Sequence, residues 1–133
     1  MKSVLLAVNG TLMRGLELEK NMQDAKATFV REDRTERSYR LYSMDDKNPA
    51  MVRVSKDDAG AVSVALEIWE VPYEGLTQIL LGEPQGLSIG KVKLINGESV
   101  LGVIGEAESV KDKKEISGYG GWREYIKEIK KDT

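Results

Sequence analysis

Cysteine and histidine are both absent from the 133 residues, and these two absences exclude more than any motif asserts. Without cysteine there is no disulfide framework, thiol nucleophile or zinc–thiolate site. Without histidine there is no Ser-His-Asp triad and no imidazole base. Proton transfer must fall to a carboxylate, a tyrosine, a lysine or bound water. A dominant charge is lacking too. Twenty Lys and Arg against 22 Asp and Glu leave a net charge of -2, so nothing draws the chain electrostatically to nucleic acid. The basic tip at Lys127–Lys131 reads more simply as cations near a helix C-terminus. The apolar run near the start, Val4–Val8, is too short for a signal-peptide core or a membrane span. A cytoplasmic protein with neither nucleic-acid nor membrane partner is expected. There is no internal repeat, low-complexity tract or linker. At 41% hydrophobic and 32% charged the composition is that of a folded chain, expected as a single domain over residues 1–133.

The stretch around which the rest is organised is Val4–Gly15. A strand-forming run, Ser3–Val8, apolar on both faces, stops at Asn9-Gly10 and enters a loop closed by Gly15. Asn and Gly are the residues that most easily take positive φ. A loop of this kind can turn backbone N–H groups toward one point and hold an anion or a carbonyl oxygen, with Thr11 adding a hydroxyl. An ordinary strand-to-loop turn is the plainer reading of the same residues.

Further along, Leu16–Gln23 reads as a short helix. Within Asp24–Arg34 the alternation of Ala25, Ala27 and Phe29 predicts a strand. Tyr39–Tyr42 and Met51–Val54 are further strands, separated by the polar turn Asp45–Pro49. Val62–Val71 presents Val62, Val64, Leu66 and Ile68 on one face. Its other face carries Ser63, Ala65, Glu67, Trp69 and Val71. Small residues beside an aromatic and one acid suit a cavity wall, while a half-exposed sheet face explains them as well. Pro72 sits where proline opens a helix, Leu76, Ile79 and Leu80 keep helical spacing, and Gly82 is its stop. Glu83–Ser88 is a loop. Lys91–Leu94 and Ser99–Ile104 pair around Asn96-Gly97, a strong hairpin signal. Lys111–Glu115 is a charged connection. After the glycines at 118, 120 and 121 comes a helix with Trp122, Tyr125, Ile126 and Ile129 on one stripe. Many short strands with a few short helices give an α+β fold with a curled or barrel-like mixed sheet.

The residues offer one main chemical pairing. Asn9–Arg14 could form an oxyanion or carboxylate cradle, and Glu67 could serve as acid/base if a dry pocket raised its pKa. Desolvation is expected to prevail over any cation such as Arg14, because Ala65 and Trp69 flank Glu67 on its strand face. Gly118–Gly121 lacks the length and lysine of a phosphate loop. Asp45-Asp46 and Asp57-Asp58 lack the alternating oxygens of a calcium loop. No metal and no cofactor is expected.

Asn9-Gly10-Thr11-Leu12-Met13-Arg14-Gly15 resembles the tyrosine-glycine-threonine-leucine opening of the γ-glutamylcyclotransferase-like superfamily. Leu66–Val71 looks like that superfamily's later strand, and Asn48–Val52 like the segment between. A closer resemblance is to the C-terminal domain of allophanate hydrolase. It is carried by Arg40-Leu41-Tyr42, by Leu87–Gly90 and above all by Ile116–Arg123, with its Gly120-Gly121-Trp122-Arg123 signature. The resemblance implies a mixed, partly closed β-barrel with short flanking helices. It implies Glu67 as general acid/base and Asn9, Gly10, Thr11, Leu12 and Arg14 as substrate-binding residues. In the full enzyme the domain follows an amidase and is thought to help decarboxylate N-carboxycarbamate. The family's loop histidine would fall at or beside Leu12, and the superfamily's loop tyrosine is Asn9 here.

The function so implied is a stand-alone domain binding a small carboxylate or ureido compound between the Asn9–Arg14 loop and Glu67, in urea/allophanate-type nitrogen metabolism. Two alternatives are a γ-glutamylcyclotransferase-like enzyme using Glu67, and a non-catalytic partner subunit of a separately encoded amidase. The expected partners are a small carboxylate or amide metabolite and that amidase.

Overall fold

The computed structural model describes residues 2–131. Its first strand, β1 (Ser3–Val8), lies at the centre of a five-stranded sheet, with Leu6, Ala7 and Val8 buried as an apolar run on both faces requires. The next elements are α1 (Glu19–Asp24), β2 (Thr28–Arg34), β3 (Tyr39–Met44), β4 (Asn48–Arg53) and β5 (Ala65–Pro72). They are followed by α2 (Tyr73–Gly82), β6 (Leu87–Lys93), β7 (Ser99–Gly105), the two-residue β8 (Lys114–Glu115) and α3 (Trp122–Lys131).

The large sheet has the order β2-β5-β1-β7-β6. β5 runs antiparallel to β1 and sets Glu67 directly opposite Val8. β7 runs parallel to β1, with Leu6 beside Leu101 and Ala7 beside Gly102. β6 and β7 form the expected hairpin, and Gly97 takes the positive φ (93°) that such a turn favours. A smaller antiparallel sheet has the order β4-β3-β8. The two sheets meet where Gly105 lies against Ala50, so close that a Cβ at residue 105 would sit 2.7 Å from the alanine methyl. The edges of the large sheet touch at one end, through a bridge between Thr35 and Leu94. Around that bridge Glu36 N–H donates to Lys93 O (2.9 Å) and Ile95 N–H to Arg34 O (3.0 Å). No closed barrel is formed among the described residues.

This is a mixed α+β fold with short helices on a sheet-dominated core. Tyr39, Leu41, Met51, Ile68, Leu94 and Ile116 are fully buried there. α3 delivers Trp122 and Tyr125 to that core on the predicted stripe, with Ile126 and Ile129 packed beside them. Several boundaries differ from the sequence reading for identifiable reasons. β5 starts at Ala65 rather than Val62, because Val62 bridges to Tyr39 and the Val64 N–H goes to Thr35 Oγ1 (2.9 Å). α1 starts at Glu19, since the Leu16 and Leu18 N–H groups close turns onto Met13 O and Thr11 O. The following strand starts at Thr28, because Ala25 caps α1 and Lys26 turns at φ 62°. β4 already includes Asn48 and Pro49, and the connection at 111–115 contains β8.

Candidate functional site

Two neighbouring places hold the chemistry, one at Glu67 and one at the end of β1. Glu67 points inward from the middle of β5 and is 2% exposed. Its Oε1 accepts the Arg14 backbone N–H (3.0 Å) and the Trp69 indole N–H (3.1 Å). Its Oε2 accepts Arg14 Nε (3.2 Å) and Arg123 Nη2 (3.1 Å). The Arg14 guanidinium lies 3.6 Å above the Phe29 ring and also reaches Glu32, and Phe29 meets Trp69 edge-on. A cleft of about 360 Å³ opens beside this group, lined by Met13, Arg34, Ala65 and Gly121–Glu124 among others.

Burial pushes the Glu67 pKa up, but hydrogen bonds from the Arg14 backbone, Trp69, the Arg14 side chain and Arg123 outweigh it. The net shift is downward. This corrects the expected rise. The expectation sets the strand neighbours Ala65 and Trp69 against Arg14 and includes neither the Trp69 indole N–H nor Arg123. A carboxylate accepting four N–H groups is acceptor-only at neutral pH. It is well suited to holding Arg14 and the loop before it in position.

The remaining loop residues surround a different hollow. Asn9 is buried, and its Nδ2 donates to Val103 O (3.0 Å), so its side chain ties β1 to β7. Gly10 does not adopt positive φ; among residues 9–15 that conformation falls at Gly15 (φ 77°). What residue 10 requires is space, since a Cβ would lie 2.5 Å from Pro49 Cδ. The Gly10 carbonyl accepts from Met13 N–H (3.0 Å) and the Thr11 carbonyl from Leu18 N–H (2.9 Å), which curls the loop. The N–H groups of Gly10, Thr11 and Leu12 meet no acceptor among the described residues. Residues Gly10, Thr11 and Leu12 border a hollow of about 20 Å³ shared with Pro49, Glu83 and Val103, room for one water-sized atom. The hollow adjoins a groove of about 430 Å³, and Thr11, Asn48 and Glu83 line both.

Glu83 follows α2 directly; its N–H donates to Leu80 O (3.2 Å), and its carboxyl has no hydrogen-bond or ion-pair partner among the described residues. Burial alone pushes its pKa up to about 7. The sequence assigns this residue to the Glu83–Ser88 loop and attaches no role to it. Arg123 was visible only as part of a signature, with no role attached. The structure thus brings Arg14 to Glu67, and it gathers Asn9, Gly10, Thr11 and Leu12 around Glu83 instead.

The family model for the allophanate hydrolase C-terminal domain matches residues 4–127. The chain belongs to the allophanate hydrolase C-terminal domain family. Urea amidolyase of Lachancea kluyveri is 31% identical over 135 residues, covering 98% of this chain and 7% of its own length. The chain therefore spans a small fraction of the curated relatives it matches. Among solved structures, a uropathogenic Escherichia coli-specific protein is 50% identical with a TM-score of 0.90, covering 95% of this chain and 97% of its own. Allophanate hydrolase of Kluyveromyces lactis is 30% identical with a TM-score of 0.89, covering 97% and 22% respectively. An AIG2-like protein of Mus musculus, 22% identical, shares the fold with a TM-score of 0.60 over 82% of this chain and 80% of its own. Among the described residues no helix is long and apolar enough to cross a membrane.

Proposed function

We propose that this member of the family binds a small carboxylate or ureido compound of urea/allophanate-type nitrogen metabolism, in the cytoplasm, at the hollow between Gly10–Leu12 and Glu83. One observation carries the reading: three adjacent residues whose backbone N–H groups have no protein acceptor among the described residues line a space that admits a single oxygen atom. Unpaired N–H groups at a concave turn favour an anionic or carbonyl oxygen. Residues 1–133 act in this reading as one domain. The contact of Thr35 with Leu94 supports regarding the large sheet as a partly closed barrel around the site. Glu67 is then a positioning residue, holding the loop through Arg14.

A proton-transfer role is favoured by Glu83, whose pKa burial pushes up to about 7, where both forms are accessible at neutral pH. With N-carboxycarbamate, one C–N bond would break and release CO2. Its electron pair would stay on nitrogen, which takes the proton of the Glu83 carboxylic acid to give carbamate. Water would then reprotonate Glu83. The amidase that supplies such a compound would be a separate protein or segment.

The test is amide NMR during titration with acetate and with allophanate, alongside CO2 release from N-carboxycarbamate generated in place by an allophanate amidase. The Gly10, Thr11 and Leu12 N–H resonances should move first. Faster CO2 release that Glu83→Gln abolishes would establish the enzyme. Resonance shifts confined to Arg34 and Gly121–Glu124, with the loop unmoved, would place the ligand in the other cleft and end this reading.

A further inference from the structure

The groove outside the hollow contains a cation whose role is unassigned. Lys47 lines it with Thr11, Glu17, Asp46, Asn48 and Glu83. Lys47 is exposed, and no carboxylate among the described residues lies within ion-pair distance of it. Most other cations near this end of the molecule are engaged: Arg14 with Glu67 and Glu32, Arg123 with Glu67, Lys113 with Asp45.

The turn that carries Lys47 is unusually constrained for a surface hairpin. Asp45 and Asp46 are consecutive non-glycine residues in the left-handed region, at φ 58° and 61°, a conformation that costs free energy for residues with a Cβ. It is held from both sides. Asp46 accepts hydrogen bonds from Ser43 Oγ (2.6 Å) and from the Tyr125 hydroxyl of α3, while the Asp46 N–H returns to Ser43 Oγ (2.9 Å). Asp45 pairs with Lys113 at 3.1 Å. With Asp46 and Asp45 both occupied, the next residue in the turn is left as the available positive charge over the groove. A pinned backbone limits the volume that its side chain explores, which is how a lysine on a loop becomes selective.

We infer that Lys47 is a specificity-determining residue that takes a second carboxylate, so that the site prefers a short dicarboxylate to a monocarboxylate. This rests on the hollow at Gly10–Leu12 holding the first carboxylate. One carboxylate oxygen would fill the hollow, and the other end of a molecule three or four atoms long would extend into the groove. Glu17 and Asp46, the other exposed charges there, and Glu83 oppose that second carboxylate and reduce the preference.

The probes are malonate and acetate, titrated at pH 7.5 and followed through the Gly10–Leu12 amide resonances. The wild type should bind malonate roughly three- to five-fold tighter than acetate, the upper scale of one exposed ion pair. Lys47→Gln should bring the two affinities within about two-fold of each other and leave acetate binding unchanged. Lys47→Arg should restore the preference, and Glu17→Gln should enlarge it. Tyr125→Phe, which frees the turn, should diminish it while acetate binding stays the same. A preference that survives in Lys47→Gln, or its absence in the wild type, would overturn the role of Lys47 while acetate at the loop amides still supports the hollow. If neither anion moves those amides, the hollow itself is misread and the inference falls with it.

Discussion

Arg123 Nη2 donates at once to the Arg14 carbonyl oxygen (2.6 Å) and to Glu67 Oε2 (3.1 Å). One nitrogen thereby joins α3, the loop after β1 and the middle of β5. The loop cannot shift without breaking a charge-assisted hydrogen bond at its far end.

Arg123→Ala should cost about 1–3 kcal/mol in urea unfolding, the range for hydrogen bonds to charged groups. Arg123→Lys should recover only part of it, because an ammonium lacks the planar fork. Hydrogen exchange at Arg14 should quicken in both variants. Equal stability and unchanged exchange in the alanine variant would remove the clasp from the argument.

Glu67→Gln should be destabilising by about 1–3 kcal/mol at pH 7, because an amide presents N–H groups to N–H donors. The sign with pH follows from a folded pKa below the ordinary 4.5. The stabilisation is present above 4.5 and lost as pH falls through the lower folded value. Denaturation at pH 7 and near pH 3 should therefore show the gap to wild type shrinking on acidification. In turnover, a positioning role would raise KM and speed Arg14 exchange together. A fall in kcat alone would mark Glu67 as the acid/base.

Glu83 behaves in the opposite sense. Its folded pKa of about 7 lies above the ordinary 4.5. The associated stabilisation is present below 4.5 and lost as pH rises through 7. Glu83→Gln, always neutral, should be more stable than wild type above pH 7, by at most roughly 3 kcal/mol. The difference should vanish near pH 4. A carboxyl carbon titration of the wild type with a midpoint near 4.5 would contradict this.

Gly10→Ala should destabilise by about 1–3 kcal/mol through overpacking against Pro49. Pro49→Ala removes the Cγ and Cδ atoms that the new methyl would strike. The double variant should thus be less destabilised than the sum of the two single ones, by more than about 0.5 kcal/mol. Strict additivity would mean that the loop moves away instead.

Local signals made much of the sheet legible. The apolar run at Val4–Val8, the Asn96-Gly97 turn and the Trp122–Ile129 stripe each correspond to an observed element. The two-sided pattern around Glu67 also pointed inward correctly, since β5 is buried on both faces near that residue. The partners of Glu67 were less accessible, because Arg14 and Arg123 come from segments 53 and 56 positions away and no periodicity relates them. Gly10 was read through backbone torsion, whereas a proline 39 positions later (49 − 10) supplies the actual constraint. Glu83 carried no pattern at all. Its protonation is set by what buries it, which a loop sequence does not reveal.

The central placement of β1 has a kinetic consequence. It precedes the other strands of this fold in the chain, yet its two neighbours are β5 and β7, the latter paired at Leu101 and Gly102 in parallel. Until residues beyond 100 are synthesised, Val4–Val8 has an unpaired edge, and non-local and parallel pairings form slowly. The β6–β7 hairpin, closed by its own tight turn, can be ready beforehand as a template. The arrival of that template at β1 would then be the slow event of folding, and the loop at Asn9–Arg14 would acquire its shape only afterwards.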